Sequence, residues 1–112
     1  MVICATDIAL SVLSKTNDVV ADGNFKYQPR TFGQFYTVHG FFEGECFPLI
    51  FALLPDKNQL SYTRLWNIIK DAIIRRNGNL GHLEKANYHF DFEPAAYNPI
   101  QPTFGSGSFL IF

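Results

Sequence analysis

Three runs of apolar and aromatic residues follow one another in the first half of the chain, at residues 19–21, 35–42 and 46–54. Runs that are rich in β-branched and aromatic residues and bounded by glycine or proline are typical of β-strands. The second and third runs are separated only by Glu43, Gly44 and Glu45, which is the spacing of a hairpin turn. The pattern therefore predicts an antiparallel meander of three consecutive strands, the first of which ends on Asp22.

The region after this meander carries the most regular helical pattern in the chain. Apolar residues recur there at the spacing of one helix face, at Tyr62, Leu65, Trp66, Ile69, Ala72 and Ile73. Asn58 or Ser61 is expected to cap the start of this helix, and Gly78 is expected to end it. A shorter helix is expected near the amino terminus, begun by Thr6 or Asp7, with the apolar positions Ile8, Ala9, Val12 and Leu13.

The last third of the chain supplies two more strands, predicted at residues 83–92 and 108–112. Between them, Pro94 suits the first turn of a helix, which Pro99 and Pro102 would end after about one turn. The long helix lets the fourth strand run parallel to the first and lie beside it, through a right-handed crossover. The sequence thus predicts a single α/β domain over residues 1–112, built on a mixed sheet.

Two carboxylates would meet at the centre of such a sheet, because Asp22 and Asp91 end its two adjacent parallel strands. Facing carboxylates repel unless one is protonated or a divalent cation lies between them, and oxygen ligands suit Mg²⁺ or Mn²⁺. The alternative is that each Asp forms a turn at a strand end. His89 shares a strand face with Asp91 and is either a supporting residue or an ordinary edge side chain. Lys26 and Arg30 either contact phosphate or are solvated.

Composition and charge narrow the class of protein. A hydrophobic fraction of 47% and a charged fraction of 17% describe a folded globular chain, and the net charge of -1 does not favour nucleic acid or an anionic membrane as partner. Cys4 and Cys46 have neither zinc-site nor disulfide-framework spacing. The sequence shows no signal-peptide pattern and no apolar run long enough for a membrane span, so a soluble intracellular protein is expected.

Four ordered blocks resemble the MULE (Mutator-like element) transposase domain. They are ADGNFK and QFYTVHG within residues 21–40, ALLPDK at residues 52–57 and DFE at residues 91–93. The resemblance spans residues 6–102 and implies an RNase H-like fold and cut-and-paste DNA transposition in the nucleus. It also implies transposon-end DNA as partner and Mg²⁺ or Mn²⁺ as cofactor. Asp22 matches the first catalytic, metal-binding Asp of the family, and Asp91 matches the second.

The chain also departs from that family. The third catalytic acid, a Glu on a later helix, has no counterpart here, and Glu93 belongs to the DFE block and does not fill that role. Pro94, Pro99 and Pro102 replace the Ala-rich helix that usually follows this block. The resemblance therefore implies a partial RNase H-like domain, truncated before the third acid and inactive as a fragment.

Two alternatives to a transposase fragment stay open. One is a domesticated or decayed transposase domain that binds DNA or protein without catalysis, and the other is an RNase H-like nuclease of another lineage. In either case, a sheet that lacks a covering helix would expose apolar surface, so self-association through the exposed sheet is expected.

Overall fold

A computed structural model describes residues 1–24, 34–91 and 93–112 and shows a mixed six-stranded sheet with helices. The strands are β1 (Val2–Ala5), β2 (Asp18–Asn24), β3 (Gln34–Phe42), β4 (Glu45–Leu54), β5 (Asn87–His89) and β6 (Phe109–Ile111). The helices are α1 (Asp7–Lys15), α2 (Gln59–Asn77), α3 (Pro94–Tyr97) and α4 (Ile100–Phe104), with a 3₁₀ turn at Gly81–Glu84. The sheet order is β1-β4-β3-β2-β5-β6.

The predicted meander and its parallel neighbour are both confirmed. Strands β2, β3 and β4 pair antiparallel in sequence order, and β5 pairs parallel to β2. The turn between β3 and β4 is formed by Glu43 and Gly44, whose φ angles of 52° and 81° are both positive. This left-handed pair matches the twist of the two flanking strands, which is why a two-residue loop suffices.

Helix α2 follows the predicted pattern closely. It buries one face along its length and ends at Gly78, which adopts a left-handed conformation with a φ of 79°. At its start, Asn58 occupies the N-cap position without a capping side-chain bond. The carboxylate of Asp56 instead accepts hydrogen bonds from the Ser61 hydroxyl at 2.7 Å and the Asn58 amide at 2.9 Å. These bonds fix the turn from which the helix starts.

The structure corrects the prediction for helix α1 in one respect. Thr6 caps the helix as expected, because its Oγ1 accepts a hydrogen bond from the Ala9 amide at 3.0 Å. The buried side chains are Leu10, Leu13 and Ser14. Ile8, which was expected on the apolar face, is 77% exposed.

Two strand predictions also change. Strand β1 was not predicted, and it pairs antiparallel with residues 50–53 of β4. The predicted fourth strand shortens to β5, because Leu83 lies in the 3₁₀ turn and is buried there.

Pro102 lies inside α4 in its first turn, where a missing amide hydrogen breaks no intrahelical bond.

The two faces of the sheet differ in what covers them. Alternate strand residues such as Val19, Val38 and Tyr88 join the residues of α1, α2 and α4 in a single hydrophobic core. The intervening strand residues lie on the opposite side, called the open face here. On that face the structure exposes large apolar side chains, among them Val2, Phe51, Phe109 and Ile111.

Candidate functional site

Of the two acids singled out in the sequence, Asp22 lies in β2, and Asp91 lies two residues after the end of the neighbouring strand β5. In the parallel pair β2–β5, Val19 is in register with Tyr88 and Val20 with His89. Asp22 and Asp91 each follow the last of these positions by two residues, and side-chain alternation within β2 assigns Asp22 to the open face. Both carboxylates are exposed, and both line one pocket of about 310 Å³ together with His89.

A second polar cluster lies on the same face, one step back along the strands. The Asp18 carboxylate oxygen Oδ1 lies 2.9 Å from Nε2 of His89 and accepts a 3.3 Å hydrogen bond from Nδ2 of Asn87. Nε2 of His89 can donate to the Asp18 carboxylate in this contact, an arrangement that requires a proton on Nε2. Asp18 and Asn87 were missed in the sequence, although Asp18 precedes Asp22 by four residues and therefore shares its strand face.

A buried tyrosine borders the carboxylates from the core side. Burial raises the pKa of the Tyr36 hydroxyl well above its usual value, and the neighbouring Tyr62 and the carboxylates of Glu93, Asp22 and Asp91 raise it further. The Tyr62 hydroxyl lies 3.2 Å from Oε1 of Glu93. Three acids thus lie within electrostatic range of one hydroxyl group, and Glu93 is tied to Tyr62.

The donor set at Asp22 and Asp91 fits a magnesium-type ion in chemistry but supplies few ligands. Mg²⁺ is commonly bound by one or two carboxylates while water and phosphate oxygens complete its octahedron. Within the described ranges, no group of three or more His, Cys, Asp or Glu residues could hold a metal ion. These two carboxylates could therefore hold such an ion only together with water or phosphate oxygens.

Three further expectations from the sequence concern the candidate phosphate contacts, the cysteines and membrane-spanning helices. Lys26 and Arg30, the candidate phosphate contacts, fall outside the described residues. Cys4 and Cys46 are both free and exposed. In the part of the chain that the structure describes, no helix combines the length and apolar character needed to cross a bilayer.

Comparison with known proteins adds no relative. No family model matches the chain, and no curated protein or solved structure matches it either. The resemblance to MULE transposases therefore stays a prediction that rests on the four sequence blocks.

Proposed function

We propose that this chain is part of the catalytic domain of a Mutator-like DNA transposase with an RNase H-like fold. In this proposal, Asp22 and Asp91 bind a divalent cation, Mg²⁺ or Mn²⁺, and the partner is DNA at transposon ends, in the nucleus. The support is the order of the four sequence blocks together with one structural observation. That observation is the pocket that Asp22 of β2 shares with Asp91, which follows the adjacent parallel strand β5.

In this proposal, some residues at the pocket bind the cation and others hold neighbouring side chains in position. Asp22 and Asp91 would hold the cation through carboxylate oxygens, and Asp18 would fix the orientation of the His89 ring beside them. A divalent cation bound there would supply activation of water and stabilisation of the leaving oxygen of a phosphodiester. The buried Tyr36 and Tyr62 rings, with centroids 5.3 Å apart, pack behind the strand ends and limit their movement.

Titration with Mn²⁺, followed by electron paramagnetic resonance of the free ion, tests the metal assignment. We expect Asp22→Asn and Asp91→Asn each to weaken Mn²⁺ binding by about tenfold or more, because each removes a charged ligand from a site with few ligands. Asp71→Asn, a change at an exposed carboxylate on α2, is the matched control and should leave binding unchanged. Equal Mn²⁺ affinity in all four proteins would refute the assignment of Asp22 and Asp91.

Nuclease assays separate the proposal from its two alternatives. Nicking of duplex DNA that depends on both Asp22 and Asp91 would support strand cleavage and exclude a domain that only binds. Metal binding without any nicking would favour the domesticated or decayed domain. Cleavage restricted to RNA–DNA hybrids would favour an RNase H-like nuclease of another lineage.

A further inference from the structure

Among residues 1–24, 34–91 and 93–112, strand β1 forms one edge of the sheet and has a hydrogen-bonded neighbour on one side only. It pairs with β4, and the strand order shows β1 at the end of the sheet. The backbone groups on its outer side are therefore available to another strand. Natural proteins protect such edges with charged residues, proline or a bulge, because an unprotected edge is a template for another chain.

Strand β1 is short, which itself limits pairing at an edge, but its four residues include no charged residue, proline or bulge. They are Val2, Ile3, Cys4 and Ala5, with no charge and no proline among them, and they pair with β4 in continuous register. The first charged side chain after them is Asp7, whose Oδ1 forms an ion pair with Arg76 at 2.7 Å. No charge within β1 itself would repel a second copy of the strand.

Apolar surface continues from the edge on both faces of the sheet. On the open face, Val2 is 49% exposed, and Phe51, which is in register with Cys4, is 41% exposed. A groove of about 500 Å³ runs beside the strand, and its lining includes Ile3 and Ala9 from the helix side as well as Phe51 from the open face. A strand added at this edge would place apolar side chains against both surfaces.

We propose that β1 pairs antiparallel with β1 of a second copy of this chain, about a two-fold axis perpendicular to the sheet. Antiparallel pairing of a strand with its own copy is self-complementary, so the contact closes as a dimer. The axis keeps like faces together, so Ile3 of each copy lies towards the groove of the other. A contact between β1 and the opposite edge, β6, would instead leave free edges and grow into a filament.

The expected dimer is weak. Four residues extend along about 13 Å of strand at about 3.3 Å per residue, so only a few backbone hydrogen bonds can form between the two copies of β1. The assembly should therefore depend on concentration. This inference is independent of the proposed transposase function, since it uses neither Asp22 nor Asp91.

Sedimentation equilibrium of the 112-residue chain, over about a hundredfold range of concentration, tests the interface. We expect a monomer–dimer equilibrium whose dissociation constant rises by about tenfold or more in Cys4→Lys, because the change brings two ammonium groups close together across the two-fold axis. The matched control is Phe109→Lys, which adds the same charge on the open face at the β6 edge, where Phe109 is 67% exposed. It should leave the equilibrium unchanged.

Two results would overturn the proposal. One is a wild-type chain that stays monomeric at every concentration, and the other is a dimer that Phe109→Lys abolishes and Cys4→Lys does not. Hydrogen exchange of the wild-type chain gives a test without substitution. Protection of amides in residues 2–5 that rises with concentration supports the interface, whereas a dimer with unchanged exchange there contradicts it.

Discussion

Trp66 offers a measurable test of how the core holds the candidate site. It is the single tryptophan, it is 1% exposed, and its ring meets those of Tyr88, Phe90 and Phe104 in edge-on contacts with centroids 5.9–6.3 Å apart. Tyr88 and Phe90 alternate with His89 and precede Asp91, so Trp66 packs against the strand segment whose other face carries the site. In the described part of the chain, its Nε1–H finds no acceptor.

The two substitutions at Trp66 should therefore differ sharply. Trp66→Ala removes the ring contacts and leaves a cavity, and should lower the free energy of unfolding by about 3–5 kcal/mol. Trp66→Phe loses roughly two CH₂-sized groups of buried surface, about 1.6 kcal/mol at about 0.8 kcal/mol each. It also relieves an unpaired buried N–H, worth about 1–3 kcal/mol. The net change for Trp66→Phe should lie between a loss of about 0.6 kcal/mol and a gain of about 1.4 kcal/mol.

Urea unfolding followed by far-ultraviolet circular dichroism measures both changes, since the variants lack tryptophan fluorescence. The urea dependence of the free energy should be equal in the three proteins, so that midpoints compare directly. A loss of more than about 2.5 kcal/mol in Trp66→Phe would mean that the indole N–H is hydrogen-bonded in the folded protein. That result would refute the reasoning.

Three further substitutions test local features of the fold. Gly81 has a φ of 62°, and an added Cβ would collide with the backbone oxygen of Ser14, so Gly81→Ala should destabilise the protein by about 2 kcal/mol or more in urea unfolding. Gly44→Ala, at a φ of 81° with open space around it, should lose only about 1 kcal/mol, and an equal loss at both positions would contradict the steric argument. The Ser61 hydroxyl lowers the pKa of Asp56, so the stability advantage of wild type over Asp56→Asn should be full at neutral pH and fade below pH about 4. An advantage independent of pH in thermal unfolding would exclude that ionic contribution.

The parts of the fold that could be predicted are those whose signals are local. Helix α2 shows its buried face in its own spacing, and the β3–β4 hairpin is marked by Gly44 at the turn. Strand β1 could not be recognised, because four apolar residues without alternation become a strand only through pairing with distant residues of β4. Leu83 was misplaced for a related reason, since burial in the core gives the same apolar signal in a 3₁₀ turn as in a strand.

The candidate site also could be predicted from the sequence only in part. Asp22 and Asp91 were expected to lie close together because a right-handed crossover connects the two chain segments that carry them. That expectation rests on a rule of chain topology and not on the local sequence. The contact between the Asp18 carboxylate and the His89 ring depends on the register between β2 and β5, in which Asp18 is paired with Asn87. No residue pattern in the sequence predicts that register.

The pairing of β2 with β5 has a consequence for the order in which the protein folds. Asp18 and Asn87 are 69 residues apart in the chain, whereas the β3–β4 hairpin closes over two residues. Hairpins form in about 1–10 μs, but a long loop must first lose conformational entropy before its contacts stabilise it. The pocket between Asp22 and Asp91 should therefore form late, after the hairpin and α2. A partly folded chain would hold most of its helix and hairpin and still lack the pocket that Asp22 shares with Asp91.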